Sequence, residues 1–280
     1  MYQNIFLDIK KMKMHLWDDT KGHLEIPFRK YAYVKHPSGQ HVSLYGDRLK
    51  KVTQFDKDDP TLHESDVPPT TRFLVDQYGD SDEASSGHRI MFFDIEVEVT
   101  EGFPDVQKAQ NPITSIALYD STTEKYFTYC FDPHKRIKNY SKDDQVVEFY
   151  ETEYEMLNQF FQKYLEIRPT IISGWNSEFF DIPYLYNRAV RVLGPEVANL
   201  LSPISQVLYS EYKKKHTIAG VSSLDYLQLY RQFTFTQQSS YRLDYIGEVE
   251  VGMKKVDYEG TLNDLYDNDL QTFIDYNIRD

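Results

Sequence analysis

With 280 residues, 40% of them hydrophobic and 15% aromatic, the chain is long enough for about two domains and too rich in apolar side chains to be disordered. Its net charge of −13 argues against a protein that coats duplex DNA, since such binding rests on Lys and Arg neutralising phosphates. The single cysteine, Cys130, excludes an internal disulfide and a thiolate zinc site. The absence of a long apolar run or a signal-peptide pattern points to a cytoplasmic chain with no membrane partner.

The first stretch reads as short strands. Residues 12–17 alternate Met and Leu with Lys and His, and residues 25–34 alternate again around Pro27, so a small β-rich domain is expected over residues 1–86. Residues 56–87 contain DKDDP, VPP and GDSDEASSG, acidic and rich in turn formers, and read as a linker or surface loop ending near Ser86. A second domain over residues 87–280 then opens with three runs, 89–99, 113–120 and 125–131. They carry β-branched and aromatic residues and should form consecutive paired strands. Thr152 and Glu155 spell a capping box, after which Met156, Leu157, Phe160, Phe161, Tyr164 and Leu165 recur at helical spacing as far as Pro169; this helix should cover one face of the sheet. Residues 169–175 read as a strand, residues 182–193 as a helix, and residues 268–280 as a last helix with Leu270, Phe273, Ile274 and Asn277 on one side.

Three short segments carry chemistry. In FFDIEV, Asp94 and Glu96 stand two apart in a strand-like run, which aims both carboxylates at one face and invites a cation; an edge strand with a solvated face would read the same way. In GWNSEFFDIPYL, Asp181 sits at a strand-to-helix connection among Asn176, Phe179, Phe180 and Pro183, where an ordinary helix N-cap is the plain alternative. In YNIRD, Tyr276 and Asp280 lie four apart and so share a helix face, able to hold a water between them or merely to line an amphipathic surface. None of the 8 histidines falls in these segments, which leaves hard oxygen-loving cations as the fitting metals.

A D-x-E on a strand, N-x3-F-D at a turn and Y-x3-D on a late helix, in that order, resemble the three exonuclease motifs of family B DNA polymerases of the T-even-like bacteriophage type. The segments FPD at residues 103–105, LSPI, GVSSLDYLQLY and YEG add to the resemblance, which runs from about Arg89 to Asp280. It implies an α/β fold, an RNase H-like exonuclease domain of the DEDD type with a mixed sheet flanked by helices. A small β-rich N-terminal domain, in which no motif is recognised, precedes it. It further implies a proofreading 3′-to-5′ exonuclease in which Asp94, Glu96, Asp181 and Asp280 hold two Mg²⁺ or Mn²⁺ ions about 4 Å apart and Tyr276 orients the attacking water.

Phe103 is implied as a stacking residue for terminal bases, Lys255 as a phosphate contact, and Asn176 and Phe180 as substrate neighbours. Partners implied are the 3′ end of single-stranded DNA, primer-template DNA, the palm, fingers and thumb of a polymerase, and through them a sliding clamp in a bacterial host cytoplasm. A longer parent would then supply the basic channel this acidic chain lacks. The segment 206–219, with Lys213, Lys214 and Lys215, lies where phage relatives carry a strand-separating hairpin and looks shorter here. Two other readings compete: a free-standing DEDD exonuclease acting on RNA or oligonucleotides, and a non-catalytic RNase H-like replication scaffold. Asp280, as the last residue, is expected to be poorly held and to leave this chain weakly active.

Overall fold

The computed structural model describes residues 1–100 and 102–280, and the chain divides into two compact units, Met1–Gly87 and His88–Asp280. In the first, β1 (Tyr2–Asp8), β2 (Lys13–Asp18) and β3 (Gly22–Pro27) form an antiparallel meander. A second sheet, in the order β5-β6-β4-β7, joins β4 (Ala32–Lys35), β5 (His41–Val42), β6 (Arg48–Val52) and β7 (Leu62–His63).

The stretch expected to be a linker is instead structured, because it holds the helix α1 (Pro69–Tyr78). Pro68-Pro69 looks like a breaker in sequence, yet a proline at the first helical position loses no hydrogen bond and has its φ preset for the helix. The turn formers therefore start this helix rather than exclude it. Phe73 on its inner face packs with Met14, Leu16 and Phe28, and the Tyr78 hydroxyl donates to Asp18 at 2.8 Å.

The second unit is a seven-stranded mixed sheet in the order β11-β12-β10-β9-β8-β13-β16. Its strands are β8 (Ile90–Val97), β9 (Ile113–Asp120), β10 (Lys125–Phe131), β11 (Tyr140–Lys142), β12 (Gln145–Tyr150), β13 (Ile171–Gly174) and, after a separate hairpin of β14 (Val207–Ser210) and β15 (Lys215–Ile218), β16 (Ser222–Asp225). β8, β9 and β10 are antiparallel neighbours, the consecutive paired strands expected from their β-branched and aromatic residues, whereas β13 runs parallel to β8 after the crossover of α2 (Glu153–Ile167). The Thr152 side chain caps α2 by accepting from the Glu155 N–H at 3.2 Å. Met156, Leu157, Phe160, Phe161 and Tyr164 bury against Met91, Phe93 and Ile95 of β8, and α3 (Asp181–Val192) adds Ile182 and Leu185 to the same core. Each such side chain contributes roughly 1.5–3 kcal/mol by leaving water.

The short α4 (Pro195–Ala198) follows α3, and α5 (Tyr226–Phe233), α6 (Leu243–Val251), α7 (Leu262–Asn268) and α8 (Leu270–Arg279) complete the unit. α8 covers the opposite face of the sheet, where Leu270, Phe273 and Ile274 meet Cys130 and Val147. No helix among the described residues is long and apolar enough to cross a membrane.

Candidate catalytic and metal-binding site

Alternation along β8 builds the site. Met91, Phe93, Ile95 and Val97 point into the core under α2, so Phe92, Asp94 and Glu96 must point to the face covered by α8. β8 is an inner strand of the sheet, which removes the solvated-edge explanation for its two acids.

Pairing between β8 and β13 ends with Phe92 opposite Ser173. Beyond it the Ile95 N–H is met by a side chain instead: Asp181 Oδ1 accepts from it at 3.2 Å. Asp181 is thus not the N-cap of α3 that its place before Pro183 suggests. Phe180 occupies the cap, with no side-chain bond, and Asp181 is the first helical residue, buried and turned toward β8.

The turn that delivers Asp181 depends on two backbone features. At Gly174 a Cβ would stand 2.6 Å from the Phe93 carbonyl oxygen, so only glycine lets β13 close on β8 there. Asn176 adopts a left-handed φ of 64°, tolerated by asparagine, and its carbonyl accepts from the Phe179 and Phe180 N–H groups. Asn176 therefore has a turn-forming role in this fold. The turn is tied down by Asp225, a residue sequence reasoning missed. Its buried carboxylate accepts from the N–H groups of Asn176 (3.2 Å), Glu178 (3.1 Å), Leu227 (3.0 Å) and Gln228 (3.3 Å).

α8 brings the remaining groups. One carboxylate oxygen each from Asp94, Glu96 and Asp280 lie within 4.8 Å of one another. Lys255 Nζ donates to the Tyr276 hydroxyl at 2.8 Å and to Asp280 Oδ2, so the lysine expected at a phosphate is bonded into the acidic cluster. Asp280, expected to be poorly held, keeps only 4% of its side chain exposed because this ion pair and the last turn of α8 fix it. A second residue missed from sequence, Asn277, donates from Nδ2 to Asp94 Oδ2 at 2.9 Å.

The electrostatics are those of crowded acids. Burial, then the charges of Asp181, Glu96 and Asp280, hold the Asp94 carboxyl well above the usual range, with Lys255 opposing. Burial and Asp280 push Glu96 up to about 8. Burial pushes Asp181 up to about 7 against the Ile95 hydrogen bond, and burial likewise raises Asp280 against Lys255. Asp280 Oδ1 is buried and meets no hydrogen-bond partner among the described residues. Clustered oxygens that repel one another, one of them orphaned, and no His or Cys among them fit a hard divalent cation.

Two aromatics expected near substrate are in contact. Phe103 is 79% exposed, as a stacking residue would be, and its ring lies 5.2 Å from that of Phe180, next to Asp181. The lysine segment, expected to be shorter than its counterpart in phage relatives, forms the hairpin β14–β15, in which Lys215 pairs with Glu178 at 2.8 Å and Tyr212 in the turn is 94% exposed.

Residues 78–246, which include Asp94, Glu96 and Asp181, match the family model of the DNA polymerase family B exonuclease domain. The chain is similar to the DNA-directed DNA polymerase of Escherichia phage RB69, 34% identical over 221 residues that make up 69% of this chain and 24% of the phage protein. It is also similar to that of Enterobacteria phage T4, 29% identical over 74% of this chain and 26% of the relative. DNA polymerase 1 of Saccharolobus solfataricus is 30% identical over 84% of this chain and 24% of the relative. The chain thus spans about a quarter of the length of these relatives.

Proposed function

The chain belongs to the family B DNA polymerases through their exonuclease domain, and from that premise we propose that it removes nucleotides from the 3′ end of single-stranded DNA as the proofreading part of a polymerase. Its fold is the RNase H-like one of that domain, a mixed sheet with helices on both faces. The observation that carries the proposal is the convergence of Asp94, Glu96 and Asp280 from β8 and α8, with Asp181 delivered beside them on Ile95.

In this reading Asp94, Glu96, Asp181 and Asp280 would hold two Mg²⁺ or Mn²⁺ ions, which would supply activation of the attacking water and charge stabilisation at the leaving 3′ oxygen. The chain's own groups do the positioning. Burial raises the Tyr276 phenol's pKa and keeps it protonated; its oxygen accepts from Lys255 and its hydroxyl stands beside Asp280, where the pair can orient a water. Exposed Phe103, backed by Phe180, offers a stacking face for an unpaired base. The acid cluster itself repels phosphates, so substrate engagement depends on cations and on basic surface supplied by the rest of a polymerase: palm, fingers and thumb, and through them a sliding clamp. A phage-encoded enzyme of this kind would work in the cytoplasm of its bacterial host.

The test is the cleavage rate on three substrates: single-stranded DNA, a matched primer-template and one with a mismatched 3′ end. Single strands should be cut fastest and the mismatched end faster than the matched one, because the terminal base must unpair before its phosphate reaches the acids. Equal rates on matched and mismatched ends would remove proofreading from the proposal, and cleavage of RNA alone would favour the free-standing nuclease.

A further inference from the structure

Asn277 and Ser115 belong to none of the groups assigned above to metal, water or substrate. Both are buried, at 1% and 0% exposure, on the face of the sheet that carries the acids. The Ser115 hydroxyl donates to Asn277 Oδ1 at 2.7 Å, and Asn277 Nδ2 donates to Asp94 Oδ2 at 2.9 Å. We propose that Ser115 and Asn277 form a positioning relay that fixes the Asp94 carboxylate in the orientation a divalent cation requires. This inference rests on the reading of Asp94 as a metal ligand.

The chemistry of the three groups sets the direction of the relay. As a metal ligand Asp94 is ionised, and an ionised carboxylate only accepts hydrogen bonds, so in that state the amide must present its N–H to Asp94 and its carbonyl oxygen away from it. That oxygen, buried on α8, then needs a donor, and the Ser115 hydroxyl on β9 is the group placed to give one. Reversing the amide would set a carbonyl oxygen against the carboxylate and leave its N–H groups facing a hydroxyl. With the amide locked, rotation of the Asp94 carboxylate about its Cβ–Cγ bond is locked too. Ser115 lies opposite Glu96 in the β8–β9 ladder, so the relay also ties the helix bearing Asp280 to the strands bearing the other two acids. Groups that orient a ligand in this way typically change metal affinity 10–100-fold when removed.

The experiment measures Mn²⁺ affinity by calorimetry for the parent protein, Asp94→Ala, Asn277→Ala, Ser115→Ala and the Ser115→Ala/Asn277→Ala double variant, with urea denaturation as a check of folding. Asn277→Ala should weaken Mn²⁺ binding about 10–100-fold and Ser115→Ala less. The double variant should bind no more weakly than Asn277→Ala alone, because the serine acts only through the amide. Parent-like affinity in Asn277→Ala, with binding lost in Asp94→Ala, would overturn the relay while leaving the metal site standing. Additive losses in the double variant would overturn it as well. Parent-like affinity in Asp94→Ala would instead overturn the metal reading, and the relay with it. Should Asn277→Ala not fold, Ser115→Ala decides alone, and unchanged affinity there counts against the relay.

Discussion

Replacing Glu96 and Asp181 by their amides, as Glu96→Gln with Asp181→Asn, should stabilise the metal-free protein at pH 8 and flatten the fall of its stability with rising pH. Burial holds Glu96 at about 8 and Asp181 at about 7, against ordinary values of 4.5 and 3.8. Each group therefore keeps in the folded chain a proton that the unfolded chain releases. For an acid raised in this way, the contribution to stability is complete below the unfolded pKa and is lost as pH rises through the folded one, here over pH 4 to 8. One such proton gives a slope of about 1.4 kcal/mol per pH unit, and two give about 2.7 kcal/mol per unit between pH 5 and 6.5. His15 and His216 act in the opposite sense, because burial lowers their pKa values and they shed protons on folding. The amide substitutions leave both histidines in place, so the difference between parent and variant reports the two acids together with the repulsion they exert on Asp94. Urea denaturation with a chelator present, at half-unit steps from pH 5 to 8, gives that difference. Parallel stability curves for parent and variant would refute the assignment of mutually repelling, protonated carboxylates to this site.

Three further outcomes follow from the geometry. Gly174→Ala should cost about 1–3 kcal/mol in denaturation experiments, because its Cβ would press on the Phe93 carbonyl at 2.6 Å and part β13 from β8; a neutral substitution would contradict the close approach. Asp225→Ala should cost at least about 3 kcal/mol, since four buried or half-buried N–H groups lose their acceptor, with Asp225→Asn recovering part of it. Phe103→Ala should leave stability unchanged, given its exposure, yet weaken single-stranded DNA binding about tenfold in a fluorescence titration, and unchanged binding would remove its stacking role.

What the sequence makes legible is what local periodicity encodes. The two-residue spacing of Asp94 and Glu96 places them on one face of β8, the capping residue Thr152 marks the start of α2, and Leu270, Phe273, Ile274 and Asn277 mark the inner face of α8. What stays hidden depends on partners distant in the chain. Asp225 shows locally as the N-cap of α5, which it is, but its bonds to Asn176 and Glu178 span 49 and 47 residues. Asn277 reads as one more inward residue of a helix until Ser115, 162 positions away, and Asp94 are found beside it. Lys255 carries no local sign of its bonds to Tyr276 and Asp280. The helix α1 was obscured for a different reason: prolines that break a helix in its interior begin one at its first turn.

The central claim, that Asp94 and Glu96 of β8 are the centre of a metal-dependent exonuclease, is tested most directly by comparing the parent protein with the Asp94→Ala/Glu96→Ala double variant on single-stranded DNA in Mg²⁺. Both carboxylates leave with the substitution while the core face of β8 is untouched, so folding and DNA binding should be retained. Release of nucleotides from the 3′ end should fall about a hundredfold or more, the loss expected when charge stabilisation at the reacting phosphate is removed. Cleavage at the parent rate by the folded double variant would contradict the account.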